Sequence, residues 1–265
     1  MIKRLLRIEF VLILILVGAF VARVWRIDEL LGFYYDQGRD ALSVWDLLHN
    51  HKISLIGPTT GIEGIFRGPW YYWLIAPAYF LGDGNPIWPS VFLAFTTIVS
   101  IALIFWLGKK TVDNTTGLVA AAIAAFSFNL IIAARWLSNP TPMFLISMLL
   151  VLSMFLALEG KKYAWPMMAF LAALAMQFGS AAETFYIPAI IIFAVWQRKK
   201  LGGARTILLS VFVFIVPFIP QIIFDLRHDG ILSSAIKRFL FERGSFSLSF
   251  LDVASFRLPF YFDVF

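Results

Sequence analysis

Long apolar runs separated by short polar segments dominate the sequence. A helix that crosses a bilayer needs about 20 predominantly apolar residues, and several segments approach that length. The predicted spans are residues 9–26, 86–108, 115–134, 140–158, 163–179, 184–197 and 205–224. The pattern therefore predicts an all-α polytopic membrane protein with a bundle of about seven transmembrane helices. We expect residues 1–265 to form a single transmembrane module.

The apolar stretch "PWYYWLIAPAYFLG" (residues 69–82) is ambiguous as a span. Its 14 residues would reach about 21 Å as a helix, whereas the hydrocarbon core is about 30 Å thick. Its tyrosines and tryptophans, Tyr71 among them, are typical of the aromatic belts at membrane interfaces. We predict a helix that lies in the interface.

Another interfacial helix is predicted earlier in the same segment, over residues 38–48. An apolar stripe follows it at helical spacing, and Asp40 and Asp46 lie off the stripe. The stripe consists of Ala41, Leu42, Val44, Trp45, Leu47 and Leu48. Residues 27–85 are therefore predicted to form a large outer loop that contains two interfacial helices.

The composition agrees with a membrane protein and excludes other classes. Hydrophobic residues make up 60% of the chain and charged residues 14%, whereas soluble domains contain about 25% charged residues. Because the sequence has no cysteine, it can form no disulfide framework and no cysteine nucleophile. The net charge of +6 is explained by basic loops at one membrane face, so nucleic acid is not expected as a partner.

Basic residues predict a cytoplasmic N-terminus. Lys3, Arg4 and Arg7 precede the first span, and the short basic loops lie on the same side when 69–82 is not a span. These loops are residues 109–110, 161–162 and 198–205. A cleaved signal peptide is the alternative for the first apolar run, but no small-residue cleavage site follows Ala22. We therefore predict an uncleaved anchor.

The stretch "FYYDQGRDAL" places a charged cluster just beyond the first span. Tyr34 and Tyr35 are expected to desolvate Asp36 in part, which would raise the pKa of its carboxyl and suit a general base. Arg39 and Asp40 follow within one helical turn and can position a second polar group. The alternative is a solvated acid that caps the following helix.

Other polar residues near the outer segments are candidate substrate-binding groups. Arg67 ends a glycine-rich loop at headgroup depth, where an arginine can bind a phosphate; snorkelling is the alternative. Arg135 and Asn139 flank spans three and four, where snorkelling and a helix N-cap are the alternatives. The remaining candidates for substrate binding are Arg39, Asp40, Tyr71, Glu183, Arg227 and His228.

Motifs for a metal or a nucleotide are not visible in the sequence. It contains no HExxH, Walker loop or GxSxG motif. Its three histidines give little support for a metal site, and a divalent cation on the outer carboxylates is left open. We predict no cofactor.

The order of these features resembles the GT-C membrane glycosyltransferases. More closely, it resembles their protein-mannosyltransferase (family 39) type, which includes the lipid A aminoarabinose transferase. The motifs that carry the resemblance are "DQGRDA", "RGPWYYWL" and "RWLSNPTP". Asp36 matches the family's catalytic carboxylate, with Gln37 where a Glu is usual. Arg67 matches the basic position of the second motif, and Arg135 and Asn139 match the third.

The resemblance implies sugar transfer from a polyprenyl-phosphate carrier on the outer face of a prokaryotic inner membrane. Asp36 would take the proton of an acceptor hydroxyl as it attacks the anomeric carbon with inversion. Arg67, with Arg135 or Arg227, would hold the departing phosphate. The implied partners are the lipid-linked donor, an acceptor that is a lipid, glycan or protein, and the bilayer. Because family members are commonly longer, the closing "FYFDVF" is expected to begin a further segment.

Two other functions stay open. A transporter or flippase would carry charges inside spans and helices broken near the midplane. The outer position of the charges argues against this class, and Pro217 and Pro220 in the last span argue for it. A non-catalytic scaffold of an envelope-glycan pathway is the other alternative, which an activity assay separates from the enzyme.

Overall fold

Helices make up nearly all of the regular structure in the described part of the chain. The computed structural model describes residues 2–241 together with 255, 257 and 259, and their side chains except those of 2–7 and 181. The α-helices are α1 (Ile2–Val24), α2 (Ile27–Leu30), α3 (Tyr35–His49), α4 (Trp70–Leu81), α5 (Ile87–Thr111), α6 (Asn114–Phe126), α7 (Phe128–Ala134), α8 (Met143–Leu158), α9 (Ala164–Phe178), α10 (Tyr186–Trp196), α11 (Ala204–Ile215), α12 (Ile219–Arg227) and α13 (Ile231–Phe241). No β-strand occurs in these residues, so the predicted all-α class is confirmed.

Some predictions rest on residues outside this description. They concern the closing "FYFDVF" and the side chains of Lys3, Arg4 and Arg7. The further segment predicted after the chain and the cytoplasmic N-terminus therefore stay predictions.

Every predicted span is helical in the structure. By length and composition, two helices in the described residues can cross a membrane, Ile87–Thr111 and the run Ala204–Arg227. The pair α6 and α7, which is bent by 60°, is a third candidate if it counts as one span. Three shorter apolar helices accompany them, Met143–Leu158, Ala164–Phe178 and Ala182–Trp196. The count of about seven spans stays a prediction.

Two hydrophobic clusters hold the helices together. One is built mainly from α3, α4, α8 and α9 and includes Tyr71, and the other joins α1, α5 and α6 and includes Ile101. α5 and α6 come closest at two glycines, where a Cβ on Gly108 would lie 2.8 Å from the Cα of Gly117. Small residues of this kind let membrane helices pack backbone to backbone.

A buried arginine fills the break between α6 and α7. The side chain of Arg23, near the end of α1, is 0% exposed. Its Nη1 donates to the carbonyls of Ala125 (2.8 Å) and Ala19 (3.0 Å), and its Nη2 donates to Ala124 (3.3 Å). Because α6 ends at Phe126, the carbonyls of its last turn have no partner within the helix. Arg23 supplies one.

The last predicted span contains a turn of 3₁₀ helix at its prolines. A 3₁₀ turn, Val216–Phe218, joins α11 to α12. Pro220 has no N–H to offer this turn, and the carbonyl of Pro217 instead accepts the indole N–H of Trp70 (2.8 Å). The irregular turn thus attaches α4 to the last span.

The helix predicted over 38–48 forms as α3, but its buried face differs from the prediction. The buried residues of α3 are Gln37, Asp40 and Val44, whereas Leu42 is exposed. Asp40 therefore lies on the packed face of the helix, and the prediction that it lies off that face is wrong. The reason is that α3 packs against α4, which offers a polar partner to Asp40.

The helix predicted over 69–82 forms as α4 and is embedded in the protein. Tyr71, Tyr72 and Tyr79 are buried, and α4 packs against α3, α5 and α9. The interpretation of these tyrosines as an exposed interfacial belt is therefore wrong. The tyrosines of α4 pack in the protein core, between α4 and its neighbouring helices. The interfacial position of α3 and α4 stays a prediction.

The predicted outer segments gather at one end of the helix bundle. Gln37 of α3 donates to the carbonyl of Leu137 in the loop before α8 (3.1 Å). At the other end of α8, Lys200 donates to the carbonyl of Leu158 (2.6 Å), which brings two predicted inner loops together. The structure therefore separates the two sets of loops, and the membrane side of each stays a prediction.

Candidate active site

A strap, residues 57–68, folds back on itself between α3 and α4. The amide of Gly57 donates to the carbonyl of Arg67 (2.7 Å), and the amide of Arg67 donates to the carbonyl of Pro58 (3.1 Å). The two arms are so close that a Cβ on Gly57 would lie 2.0 Å from the carbonyl oxygen of Gly68. Glycine at position 57 permits this approach, which fixes the backbone of Arg67.

A charge cluster connects α3 to the strap and to α4. At its centre, Arg39 donates from Nη1 to Asp36 (2.8 Å) and to the hydroxyl of Thr59 (3.1 Å). Nε and Nη2 of Arg39 both donate to Oδ1 of Asp40 (3.0 and 2.8 Å). The hydroxyl of Tyr72 donates to the same oxygen (3.0 Å). We call Asp36, Arg39, Asp40, Thr59 and Tyr72 the charge cluster.

The two carboxylates of the charge cluster lie in different environments. The side chain of Asp36 is 69% exposed, and Tyr34 and Tyr35 are themselves exposed. The prediction that these tyrosines desolvate Asp36 is therefore wrong. Asp40 is only 7% exposed, and burial raises the pKa of its carboxyl although the hydrogen bond from Arg39 acts in the opposite direction. The desolvated carboxyl of this motif is Asp40.

Both hydrogen-bond donors to Asp40 hold their protons firmly. Burial lowers the pKa of Arg39, but its hydrogen bond to Asp40 and the charge of that carboxylate leave the pKa raised. Burial and the charge of Asp40 raise the pKa of Tyr72 to about 12. Arg39 and Tyr72 are therefore proton donors in hydrogen bonds at neutral pH, and Asp40 is the acceptor.

Thr59 joins the charge cluster to Arg67. Its hydroxyl accepts from Arg39, and its carbonyl accepts from Nη1 of Arg67 (2.6 Å). Nε of Arg67 donates to the carbonyl of Gly179 (2.9 Å). Burial lowers the pKa of Arg67, and the charge of Glu183 opposes that shift. Arg67 is thus held in place, with the charge cluster on one side and the end of α9 as a second anchor.

Arg67 lines a cavity of about 620 Å³ between the strap, α9, α12 and α13. The wall is mostly apolar, and Arg67 brings a positive charge to it. Polar lining residues include Gln177, Ser180, Thr184, Gln221, Asp225 and Ser233. Cavities of this size with a few polar groups typically hold small-molecule ligands.

Two buried tyrosines of α4 lie close to the charge cluster. Among the described residues, the hydroxyls of Tyr71 and Tyr79 have no hydrogen-bond partner. Burial raises the pKa of Tyr71 well above its usual value and that of Tyr79 to about 12, and the charge of Asp40 acts in the same direction. Tyr71 therefore lies behind the charge cluster, in the protein core.

Arg135 and Asn139 contact backbone away from the charge cluster. Nη2 of Arg135 donates to the carbonyls of Ala22 (2.7 Å) and Trp25 (3.3 Å) at the end of α1. Asn139 donates to the carbonyl of Phe178 at the end of α9 (2.6 Å). These contacts tie the loop before α8 to its neighbours, and the substrate contacts predicted for both residues stay predictions.

The other predicted site residues lie at the edge of this region. Glu183 accepts hydrogen bonds from the amide and the hydroxyl of Ser180 and so caps the 3₁₀ helix Ala181–Phe185. Arg227 and His228 are exposed at the end of α12, where the ring of His228 stacks on Phe224. The structure therefore groups Asp36, Arg39, Asp40 and Arg67, with Glu183 nearby.

Comparison with known proteins identifies the family of the chain. The sequence model of the dolichyl-phosphate-mannose-protein mannosyltransferase family matches residues 67–224, which is more than half of the chain. The chain belongs to this family. Membership makes the protein a membrane glycosyltransferase with a lipid-linked sugar donor. No match is found among curated proteins or among solved structures.

The range matched by the mannosyltransferase family begins at Arg67 and runs to α12. It therefore includes α4 and most helices around the cavity, and it leaves α3 with Asp36 and Asp40 outside. The catalytic role predicted for Asp36 therefore stays a prediction.

A resident metal ion has no evident ligand set in this mannosyltransferase-family protein. Among the residues that the structure describes, no three His, Asp or Glu side chains come together as a metal site would require. The open alternative of a divalent cation on the outer carboxylates gains no support from the described residues.

Several residues around the candidate site were not predicted from the sequence. Thr59 and Tyr72 complete the charge cluster, and Gln177 and Gln221 line the cavity. A signal existed for Gln221, because a polar residue inside an apolar span is a functional candidate. The same rule applies to Arg23 in the first span.

Proposed function

We propose that this protein transfers a sugar from a polyprenyl-phosphate carrier to an acceptor hydroxyl, with inversion at the anomeric carbon. The reaction takes place on the outer face of a prokaryotic inner membrane, and the N-terminus is cytoplasmic. The bundle is of the GT-C type with about seven spans. The acceptor is a lipid, a glycan or a protein, and the sugar is a hexose or a pentose.

The observation that carries the proposal is the pairing of Arg67 with a mostly apolar cavity. A polyprenyl-phosphate sugar has an apolar chain, a charged phosphate and a polar sugar. The cavity of about 620 Å³ offers an apolar wall, a guanidinium and several polar side chains in one place. Arginine binds phosphate through directed, charge-assisted hydrogen bonds and can stabilise the charge that develops as the phosphate departs.

Asp36 is the proposed catalytic base. Its exposed carboxylate can accept the proton of the acceptor hydroxyl while the hydroxyl oxygen bonds to the anomeric carbon and the bond to the phosphate oxygen breaks. Arg39 orients Asp36, and the buried Asp40 orients Arg39. Asp40 is therefore a positioning residue in this proposal, and Arg39 joins it in that role.

The proposal is tested by the release of free polyprenyl phosphate from a panel of polyprenyl-phosphate sugars. The full chain is reconstituted in proteoliposomes with an extract that supplies acceptors, and it is compared with Asp36→Asn. We expect one donor to be turned over and Asp36→Asn to reduce that turnover at least about 100-fold, as for loss of a general base.

Asp46→Asn is the matched control for this assay. Asp46 lies on the same helix and pairs with Asn50 and Lys52 away from Arg67. We expect its turnover to stay near that of the unaltered chain. Equal activity of the two aspartate variants would overturn the assignment of Asp36.

A transporter or flippase is the second candidate, because α6 and α7 form a bent span and the last span contains a 3₁₀ turn. Broken helices of this kind form transport sites near the bilayer midplane. Here, however, Arg23 fills the break with contacts to backbone carbonyls. Movement of an intact lipid-linked sugar without release of polyprenyl phosphate would favour the transporter, and no movement and no release would favour a scaffold.

A further inference from the structure

A groove with apolar walls lies between α10 and α11. Both helices pack against α9, and the α10–α11 groove has a volume of about 350 Å³. Two lining side chains carry a polar group, and both groups are engaged. The indole N–H of Trp165 donates to the carbonyl of Lys200 (3.0 Å), and the hydroxyl of Ser210 donates to the carbonyl of Thr206 (2.8 Å). The described lining of the groove therefore favours an apolar occupant.

The groove is open on one side, within the predicted spans. Ile191 of α10 and Ile207 and Val211 of α11 line it and are exposed. Exposed apolar side chains in a span face the hydrocarbon chains of the bilayer. A helix of ten residues is about 15 Å long and about 10 Å wide, so its volume of about 1,200 Å³ exceeds that of the groove. A single extended hydrocarbon chain is a better fit.

Four basic residues, all of them exposed, gather at one end of the groove, namely Arg198, Lys199, Lys200 and Arg205. Leu201, which lies between them in sequence, lines the groove. The bond from Trp165 to the carbonyl of Lys200 holds this turn at the end of the groove. Residues 197–205 contain no acidic residue. The end of the groove is therefore positively charged.

Three of these four charges have no partner in the described part of the chain. The ammonium group of Lys200 donates to the carbonyl of Leu158 (2.6 Å). The side chains of Arg198, Lys199 and Arg205 form no hydrogen bond and no ion pair with any described residue. Neighbouring cations repel one another, and an anion at the end of the groove would relieve this repulsion.

A second basic loop shows that positive charge does not by itself create such a site. Lys109 and Lys110 end α5 on the same predicted side of the membrane, as the positive-inside rule requires. Their ammonium groups lie over the rings of Phe105 and Trp106, 5.8 and 5.7 Å from the ring centroids. Topology accounts for the charges of both loops, whereas the loop at 198–205 combines them with an apolar groove.

We infer that the α10–α11 groove binds an acyl chain of an anionic phospholipid, and that Arg198, Lys199 and Arg205 hold its phosphate. Arginine and lysine form charge-assisted hydrogen bonds to phosphate oxygens, and basic pockets between transmembrane helices bind anionic headgroups. The lipid would fill the space between α10 and α11 and hold both helices against α9. The inference is independent of the proposed sugar transfer, because other residues line the cavity at Arg67.

The test compares phosphatidylglycerol with phosphatidylcholine, which can carry the same acyl chains and differ in the net charge of the headgroup. The full chain is purified in a neutral detergent, either lipid is added, and native mass spectrometry counts the lipid molecules that are retained. We expect phosphatidylglycerol to bind at least about tenfold more tightly, because each nearby basic residue favours an anionic lipid several-fold. The melting temperature should rise with phosphatidylglycerol, and it should rise less at high salt, which screens exposed charges.

A variant without the three unpaired charges tests the headgroup contact. Arg198→Gln/Lys199→Gln/Arg205→Gln keeps Lys200, which supports the turn. We expect its preference for phosphatidylglycerol to fall to within about twofold, with an unchanged melting temperature in lipid-free detergent. Lys109→Gln/Lys110→Gln is the matched control from the other basic loop, and it should keep the preference of the unaltered chain.

A second pair of variants tests whether the acyl chain occupies the groove. Ile191 and Ile192 are exposed neighbours on α10, and Ile191 lines the groove whereas Ile192 does not. Ile191→Trp takes up part of the groove, so we expect phosphatidylglycerol to bind at least about fivefold less tightly although every basic residue is kept. Ile192→Trp should bind it as the unaltered chain does. Equal binding by the two tryptophan variants would place the acyl chain elsewhere.

Four further outcomes would overturn the inference, and each leaves the proposed function intact. Equal retention of the two lipids by the unaltered chain would show that no anionic site exists. An undiminished preference in the triple variant would place the phosphate elsewhere. An equal loss of preference in both glutamine variants would assign it to the general charge of this face. A second copy of the chain, retained in place of lipid and released by Ile191→Trp, would make the groove an interface between copies.

Discussion

Two pairs of arginines in this protein have different partners. Arg23 and Arg135 lie where α1, α6 and α7 meet, and they donate to backbone carbonyls of those helices and their ends. Arg39 and Arg67 lie at the strap, where Arg39 binds two carboxylates and Arg67 lines the cavity. The first pair completes helix ends, whereas in the second pair Arg67 lines the cavity and Arg39 holds the charge cluster together.

The comparison shows that the surroundings of an arginine are more informative than its place in a motif. Arg67 and Arg135 both match motif positions, and both donate to backbone carbonyls. Arg67 differs because it also borders a cavity, whereas the contacts of Arg135 join the end of α1 to the end of α7. We therefore expect the two arginines to respond differently to removal.

The largest effect should separate Arg67→Ala from Arg135→Ala. Loss of a donor that stabilises developing charge lowers turnover about 10²–10³-fold, so we expect that loss for Arg67→Ala. Arg135→Ala should reduce the melting temperature through its lost hydrogen bonds. It should leave turnover per folded molecule within about threefold, because Arg135 does not line the cavity. Steady-state release of polyprenyl phosphate, with thermal melting of the same preparations, measures both. A collapse of turnover in Arg135→Ala would restore it as a substrate-binding residue and break the comparison.

Next in size is the effect of Arg23→Leu on stability. The change leaves the carbonyls of Ala124 and Ala125 without their donor in an apolar environment, so we expect unfolding to become easier by about 2–3 kcal/mol. Unfolding in mixed micelles with a denaturing detergent measures the change. Arg23→Lys keeps one charged donor and should retain part of the stability. Equal stability of Arg23→Leu and the unaltered chain would show that the break needs no donor.

Gly57→Ala should affect the strap and spare the helix bundle. The added Cβ would lie 2.0 Å from the carbonyl oxygen of Gly68, so the arms of the strap must separate at a cost of about 1–3 kcal/mol. Turnover should fall, because Arg67 is anchored by these arms. Gly61→Ala is the matched control in the same strap, since its Cβ would have nothing within 4 Å. Similar turnover of the two alanine variants would argue against a fixed strap.

The smallest effect concerns how the contribution of Asp40 to stability depends on pH. Because its pKa is raised in the folded protein, the folded state binds a proton more readily than the unfolded state does. The stability that Asp40 contributes is therefore fully present at low pH and is lost as the pH rises through the raised pKa. We expect melting temperatures of the unaltered chain, relative to Asp40→Asn, to fall over that range. Asp36→Asn, which keeps Asp40, should retain the trend, and a trend of opposite sign would contradict it.

Much of the helical order could be predicted from the sequence. The apolar runs correspond to helices along the whole described chain, and the stretch 69–82 forms the short helix α4. Loops that charge asymmetry assigns to opposite sides make contacts at opposite ends of α8, and their membrane sides stay predictions.

The site was predictable only in part, since its contacts join residues far apart in the chain. The motif around Asp36 and Arg39 indicated a cluster, but exposure of Asp36 and burial of Asp40 depend on how α3 packs against α4. Tyr72 is 32 residues from Asp40, and Gln221 is 155 residues from Phe66. Local periodicity carries no information about such pairs.

The position of Arg23 has a consequence for the order in which the chain is assembled. Its acceptor on α6, Ala125, is synthesised 102 residues after it. Until then α1 carries an arginine without its carbonyl partners, and a charged side chain is unfavourable inside the bilayer. We therefore expect nascent α1 to hold Arg23 near the water interface. Because the chain lacks cysteine, a water-soluble maleimide can probe Val24→Cys: reaction in chains that end before residue 114 and protection in the full chain would show this. The first helix to enter the membrane would then settle to its final depth only after α6 has arrived.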